Sequence, residues 1–302
     1  MKRSYLSSLG RFGKWEEVEA LAKTLPTWDK YTYNALVSAY EKGRQWQKAE
    51  AAFEQMQAAG LPPDVYTYSS LISAYEKGEQ WERAEAALEL MKAQGVQPND
   101  YTYNSLISAY EKGAQWERAA QAFEQMQAAG VTPDVVTYNA LISAYGKGGQ
   151  WEKAEQAMAA MKDARVPPET ITYNALISAY EKGGGQWKKA EAAMSAMRRA
   201  RVRADLTTWN ALISSYEKAG EWCRALRTLE RMADVGQRPD HISFNACIRC
   251  VLGDFREIPA TAKEIWLTRA VRTYSSIHQA SRNFPLIHRL CGSGLEPPPC
   301  CM

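Results

Sequence analysis

Cysteine is missing from the first two hundred residues of this 302-residue chain, and histidine occurs only at His241, His278 and His288. The six cysteines fall late, at 223, 247, 250, 291, 300 and 301. A secreted domain stapled by disulfides would not space them so, and reduced thiols in a cytosolic or organelle-matrix setting are expected. The three histidines form no H-x-E or H-E-x-x-H pattern, which removes the zinc hydrolases and zinc deaminases. No P-loop, dinucleotide fingerprint or catalytic triad occurs. Long hydrophobic runs are lacking too: no stretch approaches the roughly 18 apolar residues that cross a bilayer, so a soluble protein without membrane partners is expected. Charge of either sign is nearly balanced at +3, while 46% hydrophobic residues exclude a disordered chain.

What is present is repetition. The stretch Thr137 to Ala154, TYNALISAYGKGGQWEKA, recurs along most of the length. Tyr138, Leu141, Ile142 and Tyr145 have helical i, i+3, i+4, i+7 spacing, and Gly146, Gly148 and Gly149 are expected to stop that helix. A second helix starts at Trp151, continues one stripe through Ala154, Ala157, Met158 and Met161, and is ended by Val166, Pro167 and Pro168. The aromatic opening the first helix recurs as Tyr33, Tyr68, Tyr103, Tyr138, Tyr173 and Trp209, in steps of 35 residues and a last step of 36. Tryptophans at 46, 81, 116, 151, 187 and 222 keep the same rhythm. That period marks an all-α array of helix-turn-helix units, and the odd step reflects one added glycine among Gly183, Gly184 and Gly185. Six repeats run Lys30–Asp64, Val65–Asn99, Asp100–Asp134, Val135–Glu169, Thr170–Asp205 and Leu206–Asp240.

The flanks are worn copies. Residues 1–29 fit the template from partway through its first helix, with Arg11-Phe12-Gly13-Lys14-Trp15 matching Lys218-Ala219-Gly220-Glu221-Trp222. The native product is therefore expected to extend upstream. The basic, acid-free opening also admits reading as a transit peptide, although the same residues already serve as a repeat. Residues 241–290 hold a degenerate seventh unit and a helix over Ala260 to Ala280 that caps the array, and 291–302 read as a mobile tail. Cys247-x-x-Cys250 lies where other units place Leu and Ala, so buried thiols rather than a metal or redox pair are expected; no cofactor and no metal are implied.

The apolar seams leave a polar stripe on the first helices. Its lead member is Asn34, Asn104, Asn139, Asn174, Asn210 and Asn245, with Ser69 as the substitution. Three residues earlier come Tyr31, Tyr66, Tyr101, Val136, Ile171, Thr207 and Ile242, and before each following helix sits Asp64, Asn99, Asp134, Glu169, Asp205 or Asp240. Stacking would bring these three sets together in rows. Amides flanked by flat or branched apolar side chains suit single-stranded nucleic acid: an apolar residue sandwiches a splayed base, and a carboxamide reads its edge. The acids also serve as N-caps, and one carboxylate can accept from its own helix and from the asparagine beside it.

The pattern VTYNALISAYGKGGQWEKAEQAMAAMKDARVPPE resembles the pentatricopeptide repeat family, strongly over Lys30–Asp240 and weakly at the flanks. The resemblance implies a right-handed superhelical solenoid without an editing domain. It also implies sequence-specific binding of single-stranded RNA in mitochondria or plastids, with one base read per repeat by the asparagine-type residue and the last residue of the repeat. Carried over, the pairs Asn34–Asp64, Asn104–Asp134, Asn174–Asp205 and Asn210–Asp240 prefer uracil, Ser69–Asn99 adenine, and Asn139–Glu169 a pyrimidine. A site like 5′-UAUYUU-3′ is expected, with the N-terminus at the RNA 5′ end. The three tyrosines depart from the aliphatic residue the family would place there. The family's phosphate-facing lysine corresponds to Lys42, Lys77, Lys112, Lys147, Lys182 and Lys218.

Charge is uneven along the array: Val65–Asn99 and Asp100–Asp134 are net acidic, whereas Thr170–Asp205 is basic through Lys188, Lys189, Arg198, Arg199, Arg201 and Arg203. Phosphate attraction is therefore expected toward the C-terminal half, unless these second-helix charges form a solvated outer face. The function expected is RNA binding without catalysis, with a possible protein effector and no small-molecule substrate. Two other readings stay open: a protein-binding scaffold of the tetratricopeptide kind, and an enzyme whose catalytic domain lies outside this sequence.

Overall fold

The computed structural model describes residue 9 and residues 14–253, and every regular element among them is an α-helix. The chain divides into two compact units, 1–148 and 149–302. In the first lie α1 (Trp15–Lys23), α2 (Lys30–Lys42), α3 (Trp46–Ala58), α4 (Val65–Lys77), α5 (Trp81–Ala93), α6 (Asp100–Lys112), α7 (Trp116–Ala128) and α8 (Val135–Lys147). The second holds α9 (Trp151–Asp163), α10 (Thr170–Lys182), α11 (Trp187–Arg199), α12 (Leu206–Ala219), α13 (Trp222–Asp234) and α14 (His241–Gly253). The capping helix expected over 260–280 and the tail fall outside the described residues.

Within each unit the first helix of a repeat packs on its own second helix, on the preceding second helix and on the next first helix, so first helices form one layer and second helices another. Burial follows from that placement. Tyr68, Leu71, Ile72, Ala74 and Tyr75 of α4 are all buried, whereas α5 buries the stripe Ala84, Ala87, Leu88 and Met91 and leaves its other faces to solvent. At about 25 cal/mol per Å² of apolar surface, this shared seam holds repeats that could not bury an apolar face alone.

Two expected helix stops are corrected. Gly146 lies inside α8 and is buried; the cap is Gly148, whose N–H donates to the Ala144 carbonyl at 3.0 Å. Likewise α9 stops at Asp163, before Val166 and the prolines: Arg165 takes a positive φ of 58° and the Val166 N–H returns to the Met161 carbonyl at 3.0 Å. This C-terminal motif satisfies carbonyls the helix leaves open, and the prolines merely keep the chain extended afterwards.

The turn between the two helices of a repeat carries the fold's least obvious demand. Gly113 has an ordinary φ of −75°, yet a Cβ placed there would sit 2.4 Å from Cδ1 of Trp81 in the preceding repeat. Gly43, Gly78, Gly148 and Gly183 meet Trp15, Trp46, Trp116 and Trp151 in the same way. The positive φ of the turn falls on the next residue, which is Arg44, Glu79 or Ala114 in three repeats. Each tryptophan is also flanked by the next repeat's tyrosine, as Trp81 by Tyr110 with ring centroids 6.1 Å apart. Arg118 lies over the Trp81 ring at 4.9 Å and pairs with Glu85.

Candidate nucleic-acid interface

The polar row is built at the N-terminus of each first helix. Asp134 caps α8, accepting from the Thr137 N–H at 2.9 Å, while the Thr137 hydroxyl oxygen accepts from the Asp134 N–H at 3.1 Å. This reciprocal box satisfies two amides the helix would otherwise orphan. The same pair reaches back one repeat: Asn104 donates through Nδ2 to Asp134 Oδ1 at 3.2 Å and accepts through Oδ1 from the Thr137 hydroxyl at 2.5 Å. Asparagine and aspartate, 30 residues apart, are thus fixed as one donor–acceptor pair.

The arrangement recurs with Asn34, Asp64 and Thr67, with Asn174, Asp205 and Thr208, and with Asn210, Asp240 and Ser243; the amide-to-carboxylate distances are 3.3, 3.0 and 3.2 Å. At the exception, Ser69 is buried and its hydroxyl lies 3.4 Å from Asn99 Oδ1 and 2.7 Å from the Thr102 hydroxyl. Asn139 is half-buried like the other asparagines, Glu169 is exposed, and Asn245 is exposed on α14. Burial raises the Asp134 carboxyl's affinity for a proton, but the bonds from Thr137 and Asn104 outweigh it, and its pKa falls below the ordinary 3.8; Asp64, Asp205 and Asp240 shift the same way.

The threonine was not legible as a site residue. It is fully buried at 67, 102, 137, 172 and 208, and at 67, 137 and 208 its hydroxyl donates to the asparagine of the preceding repeat. The D-x-x-T spacing of a capping box was the available signal.

The apolar row beside the amides is exposed at Tyr31, Tyr66, Val136, Ile171 and Ile242, with Thr207 also exposed. Tyr101 departs from it. Its hydroxyl donates to Glu41 Oε1 at 3.1 Å, reaching back across two repeats, and lies 3.2 Å from Ser73 Oγ; the residue is 46% exposed against 75% for Tyr31. A sandwiching role at Tyr101 would require this tie to break or the base to lie on a ring already fixed.

The lysines are not free cations either. Lys77 pairs with Glu41 at 2.5 Å, Lys112 with Glu76 at 2.5 Å, Lys147 with Glu111 at 2.9 Å and Lys218 with Glu181 at 2.9 Å. Each partner is the glutamate before the corresponding lysine of the preceding repeat, a pairing that periodicity alone did not reveal. Arg249 in α14 continues the ladder to Glu217. At Lys182 the register breaks, because the matching residue is Gly146; Lys182 is exposed and has no carboxylate partner among the described residues.

The basic excess of Thr170–Asp205 lies on the second-helix layer. Lys188, Lys189, Arg198 and Arg199 belong to α11, and Lys189 pairs with Glu155 at 2.6 Å; Arg201 and Arg203 follow in the loop. This placement matches the alternative of a solvated charged face on the second helices. Cys247 and Cys250 are buried, burial raises the Cys247 thiol's pKa, and no cluster of three metal-ligating side chains exists among the described residues.

Sequence profiles described as pentatricopeptide repeat domain match residues 86–148 and 194–254, those of the PPR repeat family match 29–77 and 133–182, and those of the PPR repeat match 66–96 and 171–202. Comparison with curated proteins returns no match. Among solved structures, maize PPR10 is 25% identical with a TM-score of 0.58, over 94% of this chain and 45% of PPR10. PPR10 in complex with an 18-nucleotide psaJ RNA element gives 20% identity and a TM-score of 0.58, over 96% of this chain and 46% of that one. The PPR domain of Arabidopsis thaliana protein-only RNase P 1, in complex with tRNA, gives 18% and 0.53 over 60% of this chain and 95% of that domain. The chain thus spans less than half the length of PPR10. The repeat register, the two-layer helical packing and the profile matches from residue 29 to residue 254 converge: the chain belongs to the pentatricopeptide repeat family.

Proposed function

We propose that the protein binds single-stranded RNA, reading one base per repeat through the asparagine–aspartate pairs and acting without chemistry of its own. The observation that carries this reading is the oriented pair. With Oδ1 held by the threonine and one Nδ2 proton held by the aspartate, asparagine keeps a second N–H to donate beside a carboxylate that accepts. A donor next to an acceptor complements uracil, which offers the O4 acceptor and the N3–H donor. At Ser69–Asn99 the shorter side chain leaves room for a purine; the Asn99 amide N–H donates to adenine N1, and the serine oxygen accepts from N6.

The site expected is U-A-U-Y-U-U, with occupancy protecting, remodelling or marking an RNA, in a mitochondrion or plastid by the family resemblance. The decisive experiment is a competition titration with UAUYUU and UUUYUU oligonucleotides. Ser69→Asn with Asn99→Asp should move the second-base preference from A to U, and an unchanged preference would sink the assignment. A protein-binding scaffold is the rival reading; filter binding at two salt concentrations separates them, since a phosphate-linked complex weakens as salt rises.

A further inference from the structure

In the second unit, α11, α12 and α13 with the loops after α11 and α13 line two adjoining open cavities of about 340 and 280 Å³. They share Met194, Arg198, Trp209 and Arg231, so they form one groove. Its floor is apolar, with Met197 and Leu212 beside Met194 and Trp209, and Val235 stands 62% exposed at its end. Its rim is basic. Arg224 is engaged by Glu191 at 3.1 Å and by Glu221 at 3.6 Å, but Arg198, Arg203, Arg227 and Arg231 have no carboxylate partner among the described residues.

This charge is particular to the place. The position of Arg227 holds Ala51, Ala86, Gln121, Gln156 and Ala192 in the other repeats, and that of Arg231 holds Gln55, Leu90, Gln125, Ala160 and Ala196. The repeat scaffold does not need these guanidiniums, because five repeats pack without them.

We propose that this groove docks an acidic segment of a partner protein, anchored by one apolar side chain in the cavity and flanked by aspartate or glutamate on the arginine rim. Charge complementarity selects the flanks, since four unneutralised guanidiniums favour carboxylates in paired geometry. The sunken apolar floor selects the anchor. Nucleic acid fits less well: bases stack on open ring faces, whereas Trp209 is 7% and Tyr216 2% exposed. The chain's own residues 254–302 fit less well too, carrying six lysines and arginines against four acids.

The test is selection of a phage-displayed random nonapeptide library on the full chain and on the Arg227→Glu, Arg231→Glu double variant, with helicity checked by circular dichroism. The wild type should enrich Leu, Met, Phe or Trp flanked by Asp and Glu, and a synthetic peptide from the top clone should bind the double variant about tenfold more weakly. Arg227→Gln with Arg231→Gln should shift affinity in the same direction by less, and U-rich RNA affinity should stay within about twofold for both. No enrichment of acidic residues, or equal enrichment on the double variant, would overturn the proposal. So would a loss of RNA affinity in the double variant, which would mark the rim as a nucleic-acid surface; failure of the base-swap titration leaves this inference untouched.

Discussion

A single hydroxyl decides how each reading pair is held. Thr137 closes the box on Asp134 and also donates to Asn104 of the repeat before, so one buried group sets both a helix cap and the direction of a neighbouring amide. Thr137→Val keeps the volume and removes the oxygen; it should cost about 1–2 kcal/mol in a urea titration and flatten the third-base preference for uracil over cytosine. A stability loss with the preference intact would assign Thr137 to the cap alone. The carboxylates give a pH signature. Because Asp134 in the folded chain titrates below 3.8, its stabilisation is complete above that value and drains away as pH falls through the lower folded-state pKa. The urea midpoint should therefore hold between pH 7 and 5 as far as these groups are concerned and drop below 3.8, with a smaller drop in Asp134→Asn.

At the level of the helix and its turn, adjacent residues in the same loop obey opposite demands. Gly113 is glycine because Trp81 of the preceding repeat occupies its Cβ space, although its backbone suits any residue; Ala114 sits at φ 54° with a side chain that costs it strain. Gly113→Ala should destabilise by about 1–3 kcal/mol through overpacking, whereas Ala114→Gly should stabilise by about 1 kcal/mol through relief of the left-handed backbone. Thermal melts of the two single variants test this, and equal signs would refute it. The loop also marks the limit of sequence reading. Periodicity located each helix and placed Asn104 and Asp134 in register, although Tyr138, expected to open its helix, stands three residues after the start at Val135. The Trp81–Gly113, Glu111–Lys147 and Asn104–Thr137 contacts join residues 32 to 36 apart, and spacing says that such positions recur but not which of them touch. Gly146 shows the same limit: glycine inside a helix and glycine at its end look alike in sequence, and only the hydrogen bonds distinguish them.

For the whole molecule, the Lys–Glu ladder predicts how affinity depends on salt. A lysine already held by glutamate exchanges one partner for another on meeting phosphate, whereas Lys182 displaces only counterions. Lys182→Gln should lower the slope of log affinity against log salt by about 0.7, and Lys147→Gln should change it far less. Glu111→Gln should raise affinity at low salt by releasing Lys147. Fluorescence anisotropy of a U-rich hexamer across a salt series measures all three, and identical slopes for Lys182→Gln and Lys147→Gln would remove Lys182's special standing.

The tryptophan seated on the following turn gives the array a direction. Excising a block just after a second helix would leave its indole wet, detectable as a red-shifted emission maximum, whereas excision just before a first helix would bare a glycine and a tyrosine but no indole. Chimeric arrays assembled from these repeats should therefore place each splice junction beyond the next turn, so that every transplanted indole travels with its cover.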